Sequence, residues 1–259
     1  MNSKTIKILA TITYLAVLLT NYLANALPIN NVTTGQVSNN YANLFAPASI
    51  TFSIWAIIYL FLGAYILYQF QIFGKKTKEK TIQKIGSYFI ITSIANILWI
   101  LTWHYDYILI SVILMLTILI SLIKIANTLR KEKLNKKEYV LIKLPFSIYF
   151  GWITIATIAN ITTYLVSINW NGFGITETIW TIIILIIGTI IGILTTTKNK
   201  DSAYLAVFIW AYTGIILKHT SSTGFNNQHP EIITTALISI LLFILTITII
   251  CYKKNKKKN

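Results

Sequence analysis

The chain is a succession of apolar runs about 20 residues long, separated by polar or basic segments, and this rhythm restricts the fold more than any other feature. A helix needs roughly 20 apolar residues to cross the hydrocarbon core of a bilayer. The runs lie at about residues 7–27, 50–73, 86–104, 107–127, 140–165, 177–196, 202–217 and 232–252. They are too long for barrel strands and lack the alternation such strands require. Charged residues make up only 11 % of the chain against 55 % hydrophobic ones, so most of the surface must face lipid. The sequence therefore predicts an all-α, polytopic membrane helix bundle of about eight transmembrane helices. The seventh run is the weakest, being short and holding Tyr204, Trp210, Tyr212 and Thr213.

The basic residues orient the bundle. They flank the first run (Lys4, Lys7) and follow the second (Lys75, Lys76, Lys78, Lys80, Lys84), the fourth (Arg130 to Lys137, with Lys124 and Lys143 at the edges), the sixth (Lys198, Lys200) and the eighth (Lys253 to Lys258). The alternate loops carry Lys218 alone, so 21 of 22 basic residues fall on one side. The positive-inside rule makes that side cytoplasmic, with both termini on it, and a bacterial cytoplasmic membrane fits the asymmetry. The net charge of +15 is then a property of the loops and tail and calls for no nucleic acid. The first run, with Ala24-Asn25-Ala26 behind it, also resembles a secretory signal, although its apolar stretch is long for one. The lone Cys251 reads as a small apolar filler.

Ionisable side chains inside a bilayer usually mark proton relays, ion sites or substrate paths. Here Asp106, Glu177, Glu231, His104, His219, His229 and Lys218 fall at span ends or in loops, where they read as solvated residues without metal-ligand spacing. No nucleophile elbow, phosphate-cradling loop or HExxH pair is present, so the reading is not an enzyme and no cofactor is assigned. The span interiors instead hold aromatic and amide side chains at helical spacing. Phe52, Trp55, Tyr59 and Gly63 share one face of the second span, and Thr92, Asn96, Trp99 and Trp103 one face of the third. Tyr149, Trp152, Ala156 and Asn160 do so on the fifth. An unpaired amide is costly in hydrocarbon, so Asn96 and Asn160 are expected to point inward and bond across helices. Trp103, next to a loop, fits an interfacial belt at least as well as a pocket. Small residues on these faces, Gly63 and Ala156, leave room for a flat aromatic guest.

The same residues carry a family resemblance. Phe45-Ala46-Pro47, then Thr51 to Trp55, Ile58-Tyr59 and Gly63-Ala64, resemble the second-helix signature of the TspO/MBR family, the tryptophan-rich sensory or translocator proteins. Asn96-Ile97-Leu98-Trp99 is similar to that family's third-helix N-x-x-W, and Trp152, Ala156 and Asn160 to its fifth-helix motif. The resemblance implies a five-helix bundle that binds a porphyrin or other tetrapyrrole, with Trp55, Tyr59, Asn96, Trp99, Trp152, Ala156 and Asn160 as ligand-binding residues. The chain departs from the pattern at Ala48, where the family has a second proline, and by having residues beyond about 175.

On this reading residues 1–168 are a five-helix TspO-like bundle, and 169–259 a C-terminal extension of about three transmembrane helices with a basic tail. The expected partners are membrane lipid and a hydrophobic small molecule, and a homodimer is compatible with such a bundle. Three functions stay open: a binding or sensory protein, a facilitator of hydrophobic small molecules, and a structural subunit of a membrane complex. The loops 28–49 and 218–231 are long and nearly uncharged, as a lid over one mouth of the bundle would be.

Overall fold

A computed structural model describes residues 2–70 and 79–256. The expected end of the second span (71–73) and Lys75, Lys76, Lys78, Lys257 and Lys258 lie outside the described residues. Among the described residues every regular element is helical: α1 (Ser3–Ala26), α2 (Thr34–Asn40), α3 (Ile54–Gln69), α4 (Glu79–His104), α5 (Ile108–Arg130), α6 (Lys136–Glu138), α7 (Leu144–Ser167), α8 (Glu177–Asn199), α9 (Ser202–Thr220) and α10 (Pro230–Lys256).

Local chemistry sets the boundaries. The Asn2 side chain accepts from Thr5 N at 2.8 Å, and Thr33 with Gln36 forms a capping box that starts α2. Each such cap satisfies one of the amide groups that a helix start leaves without an intrahelical partner. Lys200 ends α8 in the left-handed region (φ +49°), so the chain reverses into α9 within two residues. Pro145 has no N–H to continue the ladder, and a π-helical turn over Tyr139–Lys143 absorbs the irregularity as α6 runs into α7. α4 begins well before the predicted run, because lysines and polar residues extend a helix past the apolar core while their charged ends reach water.

Among the described residues, seven helical segments are long and apolar enough to span a bilayer: α1, Ser49–Gln69, α4, α5, Lys136–Ser167, α8 and Pro230–Lys254. The missing one is α9, the segment the sequence marks as weakest. Its 19 residues rise about 28 Å, near the roughly 30 Å hydrocarbon thickness. One end meets the basic face, where Asp201 lies 3.9 Å from Lys143, and the other reaches the opposite face, where His219 Nε2 donates to Leu44 O at 2.9 Å. α9 is less apolar because one broad face is packed in protein, where Tyr204, Leu205, Phe208, Ala211 and Tyr212 are all at most 1 % exposed, while Trp210 and Leu217 lie on its exposed side. A helix sheltered from lipid can carry hydroxyls, provided each finds a partner. Tyr204 bonds Thr154 at 3.0 Å and Tyr212 bonds Leu185 O at 2.7 Å.

α7 is the hub, packed on α5, α9 and α3, while α1 lies against α4, and α10 covers α9 and α8. Edge-to-face rings fill two cores: Tyr65, Phe89 and Phe146 in one, Phe208, Tyr212 and Phe243 in the other. The later helices are bonded into the earlier ones. Ala48 N donates to Gly214 O at 2.9 Å, and Trp210 Nε1 donates to Thr51 O at 2.9 Å. A proline at position 48 could not make the first of these bonds. The departure at Ala48 therefore has a structural role, because α9 uses that N–H.

Two expectations are corrected. Gly63 leaves no space for a guest: a Cβ there would lie 2.7 Å from the Tyr14 hydroxyl, which donates to Tyr59 O at 2.8 Å and ties α1 to α3. His104 and His219 are not solvated, at 1 % and 0 % exposed. The 28–49 segment folds back over both. His104 Nδ1 bonds Ile100 O at 2.7 Å, its backbone carbonyl accepts from Asn30 Nδ2 at 2.9 Å, and Glu177 accepts from Leu44 N at 2.8 Å.

Candidate functional site

The aromatic faces of α3, α4 and α7 converge below α2 and enclose two adjoining recesses. The inner one, about 50 Å³, is lined by Phe52, Trp55, Trp99, Trp103, Trp152, Ala156 and Asn160, with Thr34 and Pro47 at its mouth. The outer one, about 480 Å³, opens between α1 and α3 and is lined by Asn21, Tyr22, Asn25, Phe52, Trp55 and Tyr59, again with Thr34. Phe52 and Trp55 form the wall between them. Trp55 stacks on Tyr59 (5.3 Å between centroids, 18° apart) and meets Trp152 edge-on at 6.2 Å; Trp152 also meets Phe52 edge-on at 5.8 Å. Trp99 stacks on Trp103 at 5.5 Å.

The seven residues expected at a ligand site therefore divide. Trp55, Trp99, Trp152, Ala156 and Asn160 line the inner recess, while Trp55 and Tyr59 line the outer. Asn96 lines neither recess. It is buried between α4 and α1, where its Oδ1 accepts from Asn21 Nδ2 at 3.0 Å. Asn160 is a three-helix node: its Oδ1 accepts from Trp99 Nε1 at 2.8 Å and its Nδ2 donates to Ser111 Oγ at 2.9 Å. Both amides thus face inward and bond across helices. Trp103 is not in an interfacial belt. It is 5 % exposed, and its Nε1 donates to Thr34 O at 3.2 Å, because α2 folds over the end of α4.

Two buried polar atoms of lining residues have no partner among the described residues, Trp152 Nε1 and the Tyr59 hydroxyl; Asn96 Nδ2 has none either but lies outside both recesses. Each can donate a hydrogen bond. No lining residue of either recess is a carboxylate, histidine, lysine or cysteine. The arrangement can hold an apolar, flat molecule and offer it a few donors. Beside the recesses, in the loop layer, the Tyr41 hydroxyl donates to Asp106 at 3.2 Å; burial, then the Asp106 carboxylate, raises its pKa above the ordinary phenol value.

Sequence reasoning missed the α1 and α2 walls. Leu18, Asn21, Tyr22 and Asn25 recur at helical spacing, so one face of α1 was detectable; that it lies beside Trp55 follows only from the packing.

No curated protein and no solved structure matches the chain. The sequence model of a family described as TSPO-like protein matches residues 7–249, so α8, α9 and most of α10 lie inside the matched stretch along with the motif-bearing helices. With its apolar spans, its tryptophan-lined recesses and a match over nearly its whole length, this multi-pass membrane protein belongs to the TSPO-like family.

Proposed function

We propose that the protein binds a flat hydrophobic ligand of tetrapyrrole type in the outer recess, and that it works as a sensory or binding protein, not as an enzyme. The observation that carries this reading is the recess of about 480 Å³ walled by Phe52, Trp55, Tyr59 and Tyr22. Small-molecule sites run from roughly 300 to 1,000 Å³ and combine apolar or aromatic walls with few polar groups. The inner recess, about 50 Å³, holds no more than a substituent of such a ligand. Trp55 is then the stacking surface, Tyr59 supports it, and Trp152 offers an N–H at the inner end. Trp99, Asn160 and Asn96 position these groups. Binding without chemistry suits linings that contain neither a general acid and base pair nor a nucleophile. The basic face is taken as cytoplasmic on the positive-inside rule, in a bacterial cytoplasmic membrane.

The test is tryptophan quenching of the purified full chain in detergent micelles by protoporphyrin IX and by haem. Saturable quenching is expected, with Trp55→Leu weakening it about tenfold, as loss of one aromatic stacking partner worth about 1.5 kcal/mol requires. Absence of saturable quenching by both compounds, or unchanged affinity in Trp55→Leu, refutes the proposal.

A further inference from the structure

The geometry points to a second binding site, for an anionic glycerophospholipid, in the groove between α5 and α8 on the floor formed by α7. The groove has a volume of about 400 Å³ and is separate from the aromatic recesses. Its walls are the lipid-facing side chains Ile123 of α5, Ile161 of α7 and Ile191 of α8, each between 37 and 39 % exposed. The floor is chemically quiet, since its hydroxyls are already used within the protein. Thr154 donates to Phe150 O at 2.8 Å and in turn accepts from Tyr204, and Thr157 donates to Ile153 O at 2.7 Å. Such a surface attracts an acyl chain and offers nothing to a polar ligand.

Length and charge identify the occupant. From Phe150 to Ile161 the floor runs eleven residues of α7, about 16 Å, which is half of the roughly 30 Å core and hence one leaflet. The groove stays apolar toward the membrane centre and becomes basic where it meets the loops. Lys198 and Asn127 line that end, and Arg130 lines a small recess that shares Ala126, Phe150 and Asn199 with the groove. Neither Arg130 nor Lys198 has an ion-pair partner among the described residues. A groove one leaflet long, ending at an amide and two cations with no ion-pair partner among the described residues, is complementary to a phosphodiester headgroup on an acyl tail. The site does not depend on the ligand proposed above.

The experiment is thermal unfolding of the delipidated full chain in neutral micelles, titrated with dioleoyl phosphatidylglycerol or dioleoyl phosphatidylcholine. The anionic lipid is expected to stabilise at lower concentration. Arg130→Gln with Lys198→Gln should weaken its apparent affinity about thirtyfold, to the level of the zwitterionic lipid, because each surface cation is worth about fivefold. Ile161→Trp, which fills the groove, should weaken both lipids. If the double variant fails to fold, Lys198→Gln alone should show the fivefold loss. Equal affinity of the native chain for both lipids overturns the proposal, as does an unchanged affinity in the charge variants. Stabilisation by glycerol phosphate equal to that by the lipid also overturns it, since the groove would then be unused. So does an Ile161→Trp variant that changes only the oligomeric state, which would make the groove a contact between copies of this chain.

Discussion

Replacing Asn160 by leucine separates a strut from a ligand contact. The side chain is 2 % exposed and bonded on both sides, to Trp99 and to Ser111. Leucine removes the amide, and the adjoining recess of about 50 Å³ can take its extra bulk. Ser111 is not stranded, because its hydroxyl also donates to Ile108 O at 2.7 Å. The Trp99 N–H is, and a buried donor without a partner costs about 1–3 kcal/mol. Interhelical hydrogen bonds in membranes average about 0.6 kcal/mol, which favours the lower part of that range. The expected destabilisation is therefore about 1–2 kcal/mol. In a Trp99→Phe background no donor remains to be stranded, so the same leucine should cost less than about 0.5 kcal/mol, a coupling of about 1 kcal/mol. Reversible unfolding of all four proteins in mixed micelles of rising dodecyl sulfate content, followed by circular dichroism, measures it. Costs that agree within about 0.3 kcal/mol in the two backgrounds would refute the strut.

Other substitutions probe the join between the earlier and later helices. Ala48 has φ −57°, which proline also adopts, so Ala48→Pro removes little besides the N–H donated to Gly214 O. It should lower stability by about 1–2 kcal/mol, read as a drop in unfolding temperature in micelles, and an unchanged temperature would mean this bond contributes nothing. A Cβ at Gly214 would lie 2.0 Å from Thr51 Oγ1, whereas one at Gly35 meets nothing within 4 Å. Gly214→Ala should therefore cost about 1–3 kcal/mol, and Gly35→Ala should be neutral or slightly stabilising, in the same assay.

Hydrophobic run length and lysine placement alone specified a helical membrane bundle, because crossing lipid requires an apolar segment of fixed length whose backbone groups bond internally. Helical spacing grouped Trp55 with Tyr59, and Trp152 through Ala156 with Asn160, since residues three or four apart share a face whatever the surroundings. The same reasoning went astray at Gly63 and Trp103. A small residue on a helix face can admit a ligand or a neighbouring side chain, and Tyr14, 49 positions away, decides which. A tryptophan at a helix end can face lipid or a loop folded back on it, and α2 supplies the loop.

The sequence by itself determined which stretches can lie in lipid and which loops share a side. The tertiary structure alone decided that α9, the weakest of the eight predicted runs, packs one face into the protein, and that the Ala48 N–H, which a proline would lack, bonds it. Composition records how a segment suits its solvent. Whether that solvent is lipid or other helices depends on contacts between residues more than a hundred positions apart, as between Thr51 and Trp210, and no local pattern contains them.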